Sequence, residues 1–331
     1  MFGYIVRRLI SAALVILAVS MMVFALFFYG PSDPAQAYCP ENRCTPQRLD
    51  QIRERLGLDE PVAEQYAEYV KGIFVGRTLA TGVVESECPA PCLGVSFKLN
   101  VNVWDYLKVR FPASISLAVG AAVIFLSVGL AVGIFASRRR GQTADKVVVG
   151  VGLVMTAIPY YLLCLLAYLY LVSQWGIFGE TGYVSPFQEG VFDWFSGLLL
   201  PWLVLGLVYS NFYSRYSRGS MIEAFNEDFV RTARAKGLHE RTVTFKHALR
   251  AAIVPVVTIF GLDFAALLAG TVFTEQIFSI EGIGKAALDS IGNQDLPIIS
   301  ATVLIAATFI VFSNILVDIV YSIIDPRVRL V

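Results

Sequence analysis

The sequence predicts an all-α integral membrane protein of six transmembrane helices, with the N- and C-termini both cytoplasmic. Three observations carry this. The 331 residues are 56% hydrophobic and only 16% charged, with a mean hydropathy of +0.65, whereas a soluble domain averages about 25% charged residues. Four long intervals, 9–32, 111–137, 147–179 and 194–214, contain no Asp, Glu, Lys or Arg, and two more, 251–274 and 296–324, contain one acid each, Asp263 and Asp318. The Lys and Arg residues crowd the segments that would share one membrane face. Disorder is excluded by the apolar content, and the balance of 26 Lys+Arg against 26 Asp+Glu excludes a nucleic-acid binder.

A spanning helix needs about 20 apolar residues, which places the spans at 9–30, 111–137, 147–173, 195–214, 251–274 and 298–324. They must be helical because hydrocarbon offers no partner for a free backbone group, and the ten-residue alternation of a barrel strand is missing. Ala35-Gln36-Ala37 resembles a signal-cleavage site, but the uncharged run before it spans 24 residues, longer than the apolar core of roughly 7–15 residues in a signal. The first span is therefore expected to stay. The N-terminus 1–8, the turn after 137, the segment 215–250 and the tail 325–331 hold two, four, eight and two bases, sixteen of the 26. This bias puts them inside. The outer loop 174–196 has no Lys or Arg, and nine of the remaining ten lie in one long outer segment, 31–110.

Within 31–110, Thr45 and Pro46 open a short helix that turns Leu49, Ile52 and Leu56 to one side and stops at Gly57. A second helix starts at Pro61, with Val62, Tyr66, Tyr69, Val70 and Ile73 on one face. These amphipathic pieces either lie on the membrane surface or pack on the spans. Cys39 and Cys44 sit at one end of the segment, Cys88 and Cys92 near the other. Cysteines in even number facing an oxidising compartment read as disulfides, and four allow three connectivities; local pairs, 39–44 and 88–92, are favoured by proximity. A metal site is not expected, because both histidines, His239 and His247, fall on the opposite face. Cys164 lies mid-span as a small packing residue.

Catalytic motifs are missing. Gly282-Ile283-Gly284-Lys285-Ala286 lacks the hydroxyl and glycine spacing of a phosphate loop, His239-Glu240 has no second His four residues on, and no Gly-x-Ser-x-Gly occurs. Such a chain reads as a conduit. Pro159, Pro201 and Pro255 within spans predict bends, and Gly129 with Gly133 predicts a close helix approach. Asp263 would cost about 2.5–3.5 kcal/mol facing lipid, so it either bonds a neighbouring helix or lines a polar path. Asp318 sits nearer the inner end.

The most informative stretch is 225–255, FNEDFVRTARAKGLHERTVTFKHALRAAIVP. Helix formers run from Phe229 to Lys236, Gly237 interrupts them, and a second helix leads into the fifth span. Glycine adopts the left-handed conformation that ends a helix, so the pattern is a cationic helix-turn-helix knob. This stretch resembles the coupling loop of ABC transporter permeases, whose signature is Glu-Ala-Ala, three residues, Gly, nine residues, Ile-x-Leu-Pro. Here Arg231-Thr232-Ala233, Gly237 and His247-Ala248-Leu249-Arg250 stand in register, and the wording is similar to the dipeptide/oligopeptide/nickel branch. LLAGTVFTEQIFSIEGIGKAALDSIGNQDLPII (267–299), the ending YSIIDPRVR, Asp33-Pro34-Ala35 and RLGLDEP (55–61) extend the resemblance over nearly the whole chain. Residues 77–100, with CPAPC, fit the branch poorly and look like an insertion.

The resemblance implies a type I importer permease fold in a bacterial inner membrane. It implies half of a translocation path, completed by a second permease subunit. Two cytoplasmic ATP-binding subunits, separate or fused, would carry ATP and magnesium, this chain binding no cofactor, and an external binding protein would deliver substrate. Di- and oligopeptides are the implied cargo, with nickel chelates or glutathione as alternatives; a secondary transporter would need an ion site that one acid does not make. Residues Arg231, Thr232, Ala233, Arg234, Lys236, Gly237, His247 and Leu249 would couple to the ATPase, the bases pairing with its acids and Ala233, Gly237 and Leu249 packing closely. In such a path Asp263 is the candidate contact for a cationic group, with a helix-to-helix hydrogen bond as its alternative, and membrane lipid would surround the spans.

Overall fold

The computed structural model of the chain describes residues 2–29, 35, 45–55, 58–81, 84–96 and 98–324. The first uncharged run becomes helix α1 (Phe2–Tyr29). Beyond it, α2 (Pro46–Arg55) begins where Thr45 and Pro46 predict, its Arg48 and Leu49 amides bonding the Thr45 carbonyl at 3.0 Å, and α3 (Val62–Val75) follows Pro61. A hairpin, β1 (Arg77–Thr81) paired antiparallel with β2 (Val84–Cys88), then interrupts the helical pattern. After the short α4 (Val103–Lys108), α5 (Phe111–Arg138) forms the second span.

The third span departs from expectation. Instead of one helix over 147–173, α6 (Thr143–Ala157) and α7 (Tyr160–Ala167, continued by a π-helical stretch Tyr168–Gln174) meet at 90°. The cause is local: Ile158 precedes Pro159, the proline ring disfavours the helical region for the preceding residue, and Ile158 is extended at φ −85°, ψ 126°. Pro201 and Pro255 behave differently, lying inside α8 (Val191–Asn226) without ending it and inside the fifth span. A short α9 (Asp228–Ala235) follows. Then α10 (Glu240–Thr242) runs through a π-helical Val243–Ala248 into α11 (Leu249–Leu268). This fifth span stops short of 274 because Gly270 turns at φ +120° and a separate α12 (Val272–Ile277) begins. The chain continues with α13 (Ile283–Gly292) and α14 (Leu296–Ile324). Among the described residues five helices are long and apolar enough to cross a membrane, and six if the bent pair counts as one.

Two compact units result, Met1–Pro112 with Gly282–Phe312, and Ala113–Glu281 with Ser313–Val331. In the first, α3 packs on the first span: the Tyr66 and Ser20 hydroxyls are 2.7 Å apart, and Phe24 meets Tyr66 edge-on at 5.3 Å. Val103 and Leu107 of α4 close a small core with Ala286, Ile298 and Ala301. Nearby, the Ser96 hydroxyl donates to the buried Asp295 carboxylate.

The core of the second unit lies between α5, α7, α8 and α11, with Phe125, Leu117, Leu205 and Tyr213 fully enclosed. Gly129 and Gly133 make the predicted close approach: a methyl on Gly129 would stand 2.5 Å from Tyr213 Cβ, and one on Gly133 would overlap Ser217 and the Ser214 carbonyl. Trp202 secures the same helix pair by donating to the Ser116 carbonyl at 2.9 Å.

Candidate functional site

The 36 residues of α8 are about 54 Å long at 1.5 Å per residue, against a hydrocarbon thickness of about 30 Å. The fourth span therefore continues as a rod past the membrane, and 215–226, expected as loop, is its helical extension. Glu227 breaks the rod by taking an extended backbone (ψ 145°), and Asp228 in the first turn of α9 suits the positive end of a helix. The knob is seated by apolar contacts. Val230 and Ala233, one turn apart, are buried with Met221 and Ala224 of α8 and Val243, Ala248 and Ala252 of the returning helix, with Phe225 and Leu249 alongside.

Gly237 ends α9 at φ +74°. Its amide donates to the Arg234 carbonyl (2.9 Å) and the Leu238 amide reaches back to Ala233 (3.4 Å), the paired bonds of a left-handed helix stop. His239 then caps the next turn, its Nδ1 accepting from the Arg241 amide at 3.2 Å.

The residues assigned to coupling divide into an outer and an inner set. Arg231, Thr232, Lys236 and Gly237 are exposed; the Thr232 hydroxyl donates to the Asp228 carbonyl at 2.8 Å, and Arg231 lies 3.6 Å from the Asp228 carboxylate. Three of the assigned residues have contacts within the chain. Ala233 faces inward at 6% exposure, and Leu249 packs half-buried against the same cluster. Arg234 is exposed as well, and donates to Glu240 at 2.8 Å and lies over Phe225 at 5.4 Å. His247 is half-buried. Sequence reasoning missed the apolar part of the outer surface: Phe229 and Leu238 are both at least 40% exposed, a signal readable for Phe229 in its position off the Val230–Ala233 stripe.

Deeper in the unit, the Tyr213 hydroxyl donates to Asp263 Oδ2 at 2.9 Å. Phe125 contacts Tyr213 (4.6 Å) and Tyr209 (5.5 Å), and Phe260 stacks on Phe264 at 5.3 Å. The half-buried carboxylate thus stands beside an aromatic cluster, with one helix-to-helix bond formed. Cys88 and Cys92 are joined by a disulfide, and Cys164 is a buried thiol. Cys39, Cys44, the Asp318 side chain and 325–331 lie outside the described residues. Among the described residues no group of three His, Cys, Asp or Glu could hold a metal.

Three acids escaped the sequence reading because they fall between spans. Asp145 forms a two-pronged pair with Arg218 (2.5 and 2.7 Å), tying the start of α6 to the rod. Glu275, fully buried, accepts from Ser114 at 2.9 Å and from the Thr271 amide at 3.3 Å. Asp295 is the Ser96 acceptor noted above.

A bundle of spanning helices, one of which carries a rigid cationic knob, has the build of a transport permease. Residues 129–330 match the family described as binding-protein-dependent transport system inner membrane component, and residues 1–118 match the N-terminal family of the same component. The chain belongs to this family. Among curated relatives it is 32% identical to the dipeptide transport system permease protein DppB of Escherichia coli K12, over 99% of both chains. It is 35% identical to the di/tripeptide transport system permease protein DppB of Pseudomonas aeruginosa UCBPP-PA14, again over 99% of both. With a probable peptide ABC transporter permease of Sinorhizobium fredii it shares 34% identity over 98% of this chain and 99% of the relative.

Proposed function

We propose that this chain is the permease subunit of an ATP-driven importer of di- and oligopeptides in a bacterial inner membrane. It lines half of the path, with a second permease completing it. The knob points into the cytoplasm, where separate ATP-binding subunits supply ATP and magnesium, and an external binding protein delivers the peptide. The peptide cargo is supported by the names of the full-length relatives. The coupling role rests chiefly on the knob itself, an exposed face of Arg231, Lys236, Phe229 and Leu238 held on a buried apolar seat. A surface that is cationic at its rim and apolar at its centre fits an acidic-rimmed cleft on a partner. Closure of that partner would move the knob and rod together, as a rigid-body transition between two packings.

Asp263 belongs to the path in this reading, its carboxylate meeting the ammonium end of the peptide. On the outer side, Cys39 and Cys44 form a second local disulfide.

The test is reversal of Arg231 and Lys236 to Glu in the complete complex. Retention of the ATPase subunit in a pull-down should fall, and fall further as salt rises, since exposed charges are screened over about 8–10 Å at physiological ionic strength. A double variant that keeps its ATPase and its uptake rate in vesicles would remove the coupling assignment.

A further inference from the structure

Among the described residues the bases at the end of α5 form no ion pair, although the charge of Arg140 acts on Asp145. Arg138, Arg139 and Arg140 are consecutive and exposed, while the nearby acids are already engaged, Asp145 by Arg218 and Glu240 by Arg234. Among the described residues no carboxylate stands within ion-pair distance of the three guanidinium groups. Arg138 and Arg139 border a cleft of about 470 Å³ lined with them by Ala131, Ile134, Phe135 and Phe245, a size within the roughly 300–1,000 Å³ of small-molecule sites. Four of the six lining side chains are apolar and the two cations stand together at one end. The Arg139 guanidinium lies over the Phe135 ring at 4.3 Å, which fixes its place on the rim. Phe135 and Phe245 are 44% and 54% exposed, although both sit beside charged neighbours at the knob-bearing face. Arg138 also borders a second cleft, of about 380 Å³, with Arg140, Ser137 and Asn226.

We propose that this cleft binds an anionic phospholipid of the leaflet on the knob-bearing side. Its phosphate would sit between Arg138 and Arg139, and an acyl chain would cover Ala131, Phe135 and Phe245. The physical case is that one groove offers both halves of such a molecule in the right order. Going along α5 from the membrane interior, the lining changes from Ala131 through Phe135 to Arg138 and Arg139, apolar within the hydrocarbon depth and cationic where headgroups lie. A soluble anion would use the arginines and leave the phenylalanine walls wet; a neutral lipid would use the walls and leave the arginines without a counter-charge. Basic pockets between spanning helices are suited to anionic headgroups for the same reason. The site is distinct from the outer face of α9, so it stands or falls separately from the coupling assignment.

The experiment uses the full chain assembled with its partner subunits, in nanodiscs of phosphatidylcholine containing a photoreactive phosphatidylglycerol. Crosslinked lipid should map to peptides covering 131–139 and 245. Arg138→Gln with Arg139→Gln should cut that labelling at least tenfold, about fivefold per arginine given the usual attraction of one base to an anionic surface. Phe245→Ala should reduce it several-fold with the arginines intact. Lys146→Gln, an exposed base outside the cleft, should leave it unchanged. Glycerol phosphate at millimolar concentration should not compete. Absence of labelling at 131–139 and 245 in the assembled complex, or labelling that survives the double variant, that is matched by a photoreactive phosphatidylcholine, or that is displaced by glycerol phosphate, would each overturn the proposal.

Discussion

Gly237 is the residue whose backbone decides the shape of the knob. At φ +74° a Cβ would meet nothing within 4 Å, so the penalty for a side chain is conformational and not steric, about 1–2 kcal/mol for an ordinary residue and more for a branched one. Gly237→Val should uncouple ATP hydrolysis from uptake, Gly237→Ala should do so less, and Gly237→Asn least, since asparagine tolerates this conformation. Uptake per ATP hydrolysed in proteoliposomes measures the order, and a valine variant indistinguishable from wild type would contradict it. This glycine was legible in the sequence because its role is local. The inward turn of Ala233 was not, because only the tertiary seat of Met221, Val243 and Ala252 says which side of α9 is covered. Asp263 was legible as an anomaly, but its Tyr213 partner lies 50 residues away. Asp263→Asn keeps an acceptor for that hydroxyl, so thermal stability should change by no more than about 1 kcal/mol. Uptake of free-amino peptides should drop while that of N-acetylated ones is unaffected; equal uptake of both would leave Asp263 with its helix-bonding role alone.

Elements follow the same division between local and distant causes. Five of the six apolar runs, three uncharged and two with a single acid, become long unbroken helices, whereas the third needed the rule for residues preceding proline to be weighed against a continuous apolar run. The contrast with Pro201 and Pro255, which helices pass through, shows that proline alone does not determine the outcome. At Pro159 the preceding Ile158 takes the extended backbone, and both halves still find helical partners. The hairpin β1–β2 was missed because RTLAT and VESEC are short and polar, without an apolar alternation. Helix approach was read correctly from Gly129 and Gly133, and it carries a paired prediction. Gly133→Leu forces overlap with Ser217 and the Ser214 carbonyl and should destabilise by at least about 1–3 kcal/mol, the usual cost of overpacking. Gly219→Ala, on α8 with nothing within 4 Å of an added methyl, should be neutral or stabilising by up to about 1 kcal/mol. Thermal unfolding of the purified chain in detergent distinguishes them; a Gly133→Leu protein as stable as the Gly219→Ala protein would refute the close-approach reading.

At the scale of the whole molecule, the question is how motion at the knob reaches the spans. The rod of α8 and the returning helix α11 enclose the same apolar seat, so a displacement of α9 would pass to the fourth and fifth spans through that packing. Asp145 and Arg218, paired across 73 residues, brace the rod against the start of the bent third span. Transmission of this kind depends on the stiffness of the seat more than on the outer surface, and the two can be separated. Val230 is fully buried under the knob and adds nothing to the exposed surface proposed for the partner. Val230→Ala removes two buried carbons and leaves a small cavity, a loss of about 2 kcal/mol, while Arg231, Lys236, Phe229 and Leu238 stay in place. The variant should retain its ATPase subunit in a pull-down at near wild-type level, yet transport fewer peptides per ATP hydrolysed. The charge-reversed outer variant should show the opposite pattern, losing the subunit first. If Val230→Ala lost binding and coupling together, the seat would be part of the docking surface itself, and the rigid rod would not be the element that carries the movement.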